Sequence, residues 1–177
     1  PRWGMRHVDA PSSIDEAVFV GVEDALRLLA QDQPDLAIAN VWPLAASEIE
    51  ELRFLVCRTL SATDDADHAD SAVDWLLSDP RNLRLGWIRS ASWASRELIE
   101  SASRRCSDRR LAALTSELMA YHPWWELGAG GRSERGRAQY DLLTGIESTR
   151  RSEAVGRRIA EWERKFPTPP TPPQPIG

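Results

Sequence analysis

The 177-residue sequence is poor in the residues that build metal and redox sites. It has two cysteines, Cys57 and Cys106, and no CxxC spacing. Both fall within apolar helical patterns, so both are expected as buried free thiols in a reducing compartment. Its three histidines, His7, His68 and His122, are far apart and lie outside HExxH or any other metal-ligand spacing. GxSxG is absent, and no Ser, His and acid group into a triad. There is no signal peptide and no apolar run of about 18 residues, so no membrane span is expected and the location is read as cytoplasmic. A basic excess is missing too. The 27 acids against 22 bases give a net charge of −5, which argues against a general nucleic-acid binder.

Two further patterns fall short of a site. The run Asp64, Asp65, Asp67, His68, Asp70 lacks the alternation and glycine of an EF-hand loop. It reads as a solvated stretch whose acids favour the next helix N-terminus. Gly128-Ala129-Gly130-Gly131-Arg132 has neither the Gly-Lys-Ser/Thr ending nor the preceding strand of a phosphate-binding loop, so it reads as a connector. No catalytic residue, cofactor or metal is assigned.

What the sequence does contain is helical periodicity. Hydrophobic residues make up 42% and charged residues 28%, values of an ordinary globular domain with a real core. Ser12 or Ser13 caps a first helix with Ile14, Ala17, Val18, Val22, Ala25, Leu26 and Leu29 expected inward. Residues 35–44 are a short helix or an extended segment. Ser47 with Glu50 forms a capping-box pattern before a helix carrying Ile49, Leu52, Leu55, Val56 and Leu60. The next helix turns Ala69, Ala72, Val73, Leu76 and Leu77 inward and stops at Pro80. The connector 81–90 holds Leu83, Leu85, Trp87 and Ile88, an alternation that reads as a plug for the gap between hairpins or, as the alternative, a short strand.

The chain is organised around a central pair, 91–105 and 107–121. Trp93, Ala94, Leu98, Ile99 and Ala102 face inward on the first, and Leu111, Leu114, Leu118 and Tyr121 on the second. Tyr140, Leu142, Leu143 and Ile146 mark a further helix. Val155, Ile159, Trp162 and Phe166 mark the last.

Four helices end in prolines 34, 80, 123 and 167, which stand 46, 43 and 44 residues apart. That period lies within the roughly 40–47 residues of HEAT and armadillo repeats, whose helical hairpins bury a continuous core by stacking. The fold expected is therefore all-α, about seven helices stacked as HEAT-like hairpins, a solenoid. The alternative is a compact helical bundle. Residues 1–11 read as a tether, 12–166 as the helical-repeat domain, and 167–177 as a Pro-rich polyproline II tail. A start at Pro1 and an end inside the Pro-rich stretch suggest a fragment of a longer protein.

Eight tryptophans are the other feature. Trp75 and Trp162 fit helix cores. Trp42, Trp87, Trp124 and Trp125 fall in connectors, where a tryptophan either anchors a loop or binds a partner. Core anchoring is the simpler expectation, and exposure would make Trp124 and Trp125 interface residues. Arg150 and Arg151 belong to a late arginine-rich stretch that reads as a solvated face or as a contact with an acidic partner.

Three stretches, Ala72-Val73-Asp74-Trp75-Leu76-Leu77-Ser78-Asp79-Pro80-Arg81, Ala94-Ser95-Arg96-Glu97-Leu98-Ile99-Glu100 and Tyr121-His122-Pro123-Trp124-Trp125-Glu126, are joined by a fourth, Arg164-Lys165-Phe166-Pro167. With them, residues 71–166 resemble helical-repeat regions of large bacterial multidomain proteins such as NACHT-type signalling ATPases. The resemblance implies a non-catalytic scaffold or sensor segment that binds a protein partner or another domain of the same polypeptide, in some cases in defence against phage. The chain has no Walker motif, so any ATPase would lie outside it. The alternatives are a piece of an enzyme, with Arg96, Glu97 and Glu100 near Trp93 as the place to look, or a nucleic-acid contact through the late arginines.

Overall fold

The computed structural model describes residues 13–86, 92–128 and 133–166. The α-helices, in chain order, are α1 Ile14–Asp32, α2 Pro34–Val41, α3 Glu50–Ala62, α4 Ala66–Ser78, α5 Trp93–Ser103, α6 Asp108–Ala120, α7 Trp124–Leu127, α8 Arg137–Leu143 and α9 Glu153–Glu163. No strand occurs among the described residues. The helices beyond the seven expected are α2 and the single-turn α7.

The caps are local and legible. Ser13 accepts from the Glu16 amide, Asp65 from Asp67, Ser107 from Arg110 and Ser152 from Val155. The Ser47 pattern works differently. Ser47 Oγ accepts from the Ile49 amide at 3.1 Å, and Ile49 itself is the N-cap, exposed where a core position was expected. One residue separates Pro34 and Pro80 from the ends of α1 and α4, and two separate Pro123 from the end of α6, where each can start a new turn but cannot continue the old one. The interval between the first two holds α2, α3 and α4 where two helices were expected. Pro167 and the tail lie outside the described residues, as do the tether, Trp87, Ile88 and residues 129–132.

The odd-numbered helices α1, α3 and α5 pack in succession, and sequential neighbours pack beside them. α1 lies on α3, α3 on α5, and α5 on α8, while α4 packs against α5 and α6. α2 closes against α1 and α3, and α9 against α8. One continuous apolar core links them, built around Phe54, Leu60, Leu76, Leu83, Leu98, Leu114, Leu118 and Leu142. The inward residues expected on α5 and α6 are all buried. Ile146 and Phe166 are buried as well, but each stands just past the end of its helix. Leu83 and Leu85 do plug the core. They sit in and after a 3-10 turn, Pro80–Arg84, that Ser95 of α5 ties down by donating to the Asn82 carbonyl and accepting from the Leu85 amide.

α1 departs most from expectation. Phe19, Glu23, Leu26 and Ala30 point inward, and Ile14, Val18 and Val22 point to solvent. The helix also carries Asp15, Glu16, Glu23, Asp24 and Arg27, and its uncharged apolar arc is the one left to solvent, so periodicity pointed to the opposite face. Two long-range contacts chose the buried side: Phe19 meets the Phe54 ring at 6.2 Å, and Glu23 accepts from Arg58 Nε at 2.8 Å. Arg58 also pairs with Glu97 and lies 4.6 Å above the Trp93 ring, so one buried guanidinium joins α1, α3 and α5.

Candidate interaction surface at the Trp124 turn

α6 ends at Ala120, and Tyr121 turns the chain into extended backbone that Pro123 continues. A single helical turn, α7, follows. Its four residues divide sharply. Trp124 is 74% exposed and Leu127 57%, whereas Glu126 is 2% exposed. Trp125 is half-buried and meets Trp124 edge-on, with centroids 6.0 Å apart.

Glu126 explains why so short a turn holds its place. Its carboxylate accepts from the Gly136 amide at 2.6 Å and from the Ala138 amide at 2.8 Å. Those are the N-cap and second residues of α8, whose first amides have no acceptor in their own helix. A buried carboxylate there satisfies two donors and meets the positive end of the helix dipole. Gly136 has φ +90°, and a Cβ there would meet the Trp162 ring at 2.4 Å, so glycine is required on both counts. Trp162 Nε1 donates to Gln139 Oε1 at 2.8 Å, and Gln139 Nε2 donates to the Leu118 and Met119 carbonyls. The end of α6, the turn α7 and the start of α8 are thus locked together around buried polar groups. Trp124 and Leu127 project from this frame into solvent.

The remaining candidates are distributed elsewhere. Trp42, 44% exposed, borders an open groove of about 700 Å³ with Pro43, Trp75 and Arg81. Trp75 closes the groove floor, its indole N–H donating to the Ala45 carbonyl at 3.0 Å. Trp87 lies outside the described residues. Arg150 and Arg151 use their guanidinium groups inside the molecule. Arg150 donates to the Ser103 and Cys106 carbonyls and pairs with Asp108, and Arg151 donates to the Ile146 and Thr144 carbonyls. They fasten the 3-10 turn Ser148–Arg150 and its flanks to α5 and α8 rather than form a free basic face.

The cluster suggested for an enzyme is a set of ion pairs. Glu97 faces Arg58, and Glu100 faces Arg104 at 2.8 Å and Arg96 at 3.8 Å, along an open pocket of about 320 Å³. The acidic run is tied down in the same way. Asp64 pairs with Arg105, His68 with Asp35, and Asp70 accepts from the Ser107 amide and hydroxyl. Among the described residues no three metal-ligating side chains converge, and no helix is long and apolar enough to cross a membrane. Both cysteines are buried and unbridged, and burial pushes the Cys57 thiol up to about 12.

What sequence reasoning missed is the role of Glu126. A glutamate in a Trp-Trp-Glu-Leu stretch carries no sign that it is buried, and its partners lie ten and twelve residues on, across the glycine-rich connector. Gly136 was the available signal, a lone glycine directly before a helical pattern.

Comparisons with family models, with curated proteins and with solved structures return no match for this chain.

Proposed function

We propose that this chain is a non-catalytic helical scaffold or sensor segment that binds a protein partner, or a neighbouring domain, through the Trp124 turn. The observation that carries the reading is the exposure of Trp124 and Leu127 on a turn held rigid by a buried carboxylate. Large apolar side chains on an ordered frame lose little conformational freedom on binding, and tryptophan is the residue type most often dominant in interfaces. The complementary partner offers an apolar pocket with an acceptor for the indole N–H.

The successive packing of α1 on α3, α3 on α5 and α5 on α8 supports reading the helices as stacked, HEAT-like hairpins. The setting in a larger bacterial protein, with phage defence as one role, rests on the sequence resemblance alone. A cytoplasmic location rests on the sequence reading alone.

The test is affinity capture with the wild type and with Trp124→Ala/Leu127→Ala, followed by titration of the purified partner. Both side chains are exposed, so the variant keeps its circular dichroism. Loss of binding by at least tenfold supports the reading. A partner held equally by both proteins removes this surface from it, and failure of the wild type to bind any protein removes the function.

A further inference from the structure

The solvent side of α1 is apolar along its length, and we infer that it pairs with α1 of a second copy of this chain in an antiparallel, two-fold dimer. Ile14 is 82% exposed, Val18 62%, Val22 42% and Leu28 67%. Ala17, Gly21 and Ala25 fill the positions between and are exposed too. At 100° per residue these α1 positions fall within an arc of about 140° that holds no charge before Asp32 at the helix end.

The pattern is self-complementary about Gly21. Ile14 and Leu28 stand seven residues to either side, and Ala17 and Ala25 four. An antiparallel second copy therefore sets Ile14 against Leu28 and Ala17 against Ala25 at both ends, and Gly21 against itself. Val18 and Val22 lie on the same flank, so a two-fold axis brings Val18 of one copy within a turn of Val22 of the other. Nothing stands within 4 Å of a Cβ at Gly21, so the two backbones are free to close there. The exposed parts of these side chains amount to roughly 500 Å² per copy, toward the upper end of what a monomer carries in one patch, and about 1,000 Å² for the pair, the lower bound for a specific interface. Antiparallel helices also oppose their dipoles. This face lies on a different helix from the Trp124 turn, and the inference does not rest on that site.

Sedimentation velocity on the whole chain over a concentration series tests it. A mass near twice 19.9 kDa is expected for the wild type, falling to 19.9 kDa for Val18→Glu at the same concentration. Gly21→Cys should form a disulfide-linked dimer under mild oxidation, because only residues on the two-fold axis face their own copies, and Asp24→Cys should not. Trp124→Ala/Leu127→Ala should dimerise as the wild type does, which separates this interface from the partner site. A wild-type monomer at 100-fold the concentration used for the variants overturns the inference and leaves residues 1–12 or another protein as the cover of α1. A dimer that survives Val18→Glu, with no Gly21→Cys linkage, also overturns it.

Discussion

Removing the Glu126 carboxylate should unfasten the Trp124 turn and weaken the whole domain. In Glu126→Ala the Gly136 and Ala138 amides lose their shared acceptor in a site where Glu126 is 2% exposed. A bond from a backbone N–H to a charged acceptor contributes about 1.5–3 kcal/mol, so two of them set the expected loss at roughly 3–6 kcal/mol. That is a large part of the 5–15 kcal/mol that typically separates folded from unfolded chains. Glu126→Gln keeps one acceptor oxygen but turns an NH₂ toward an amide, and about half the loss should follow. Urea unfolding followed by far-ultraviolet circular dichroism reads both as a lower midpoint at constant slope. Trp124→Ala serves as the surface control and should cost at most about 1 kcal/mol, since only the edge contact with Trp125 is lost. If Glu126→Ala fell within about 0.5 kcal/mol of the wild type, or cost no more than Trp124→Ala, the capping account would be refuted.

Three other outcomes follow from the buried polar groups. Arg58→Ala takes a guanidinium from the buried Glu23 and from Glu97, and about 3–5 kcal/mol should be lost, with Arg58→Met/Glu23→Leu recovering most of it in chemical denaturation. Gly136→Ala forces a positive φ on a residue whose Cβ meets the Trp162 ring, and calorimetry should show a cost above about 2 kcal/mol. Burial raises the Asp141 carboxyl from 3.8 to about 6 even though Arg137 lies 2.9 Å away. The folded state therefore binds a proton that the unfolded state has released. The stability contributed is fully present below about pH 4 and is lost as pH rises through 6, by at most roughly 3 kcal/mol. Asp141→Asn should flatten the stability profile over that window in urea titrations at stepped pH.

The sequence by itself determined that the chain is helical and where most helices begin and end. Those features are local. Ser13, Ser107 and Ser152 cap because their hydroxyls reach amides three residues on, and Pro34, Pro80 and Pro123 end helices because of their own ring geometry. Periodicity also identified the inner faces of α5 and α6, where the apolar stripe is narrow and the opposite face is polar. In α1 periodicity pointed to the face that stays exposed, and Phe54 and Arg58 of α3 chose the more polar side that went in. Tertiary structure alone also decided which of the connector tryptophans face solvent and what the late arginines do. Arg150 became a strut because the carbonyls at the end of α5 needed donors, and Glu126 became a cap because α8 began without one of its own. Each depends on a group far away in sequence, which no spacing rule along the chain can register.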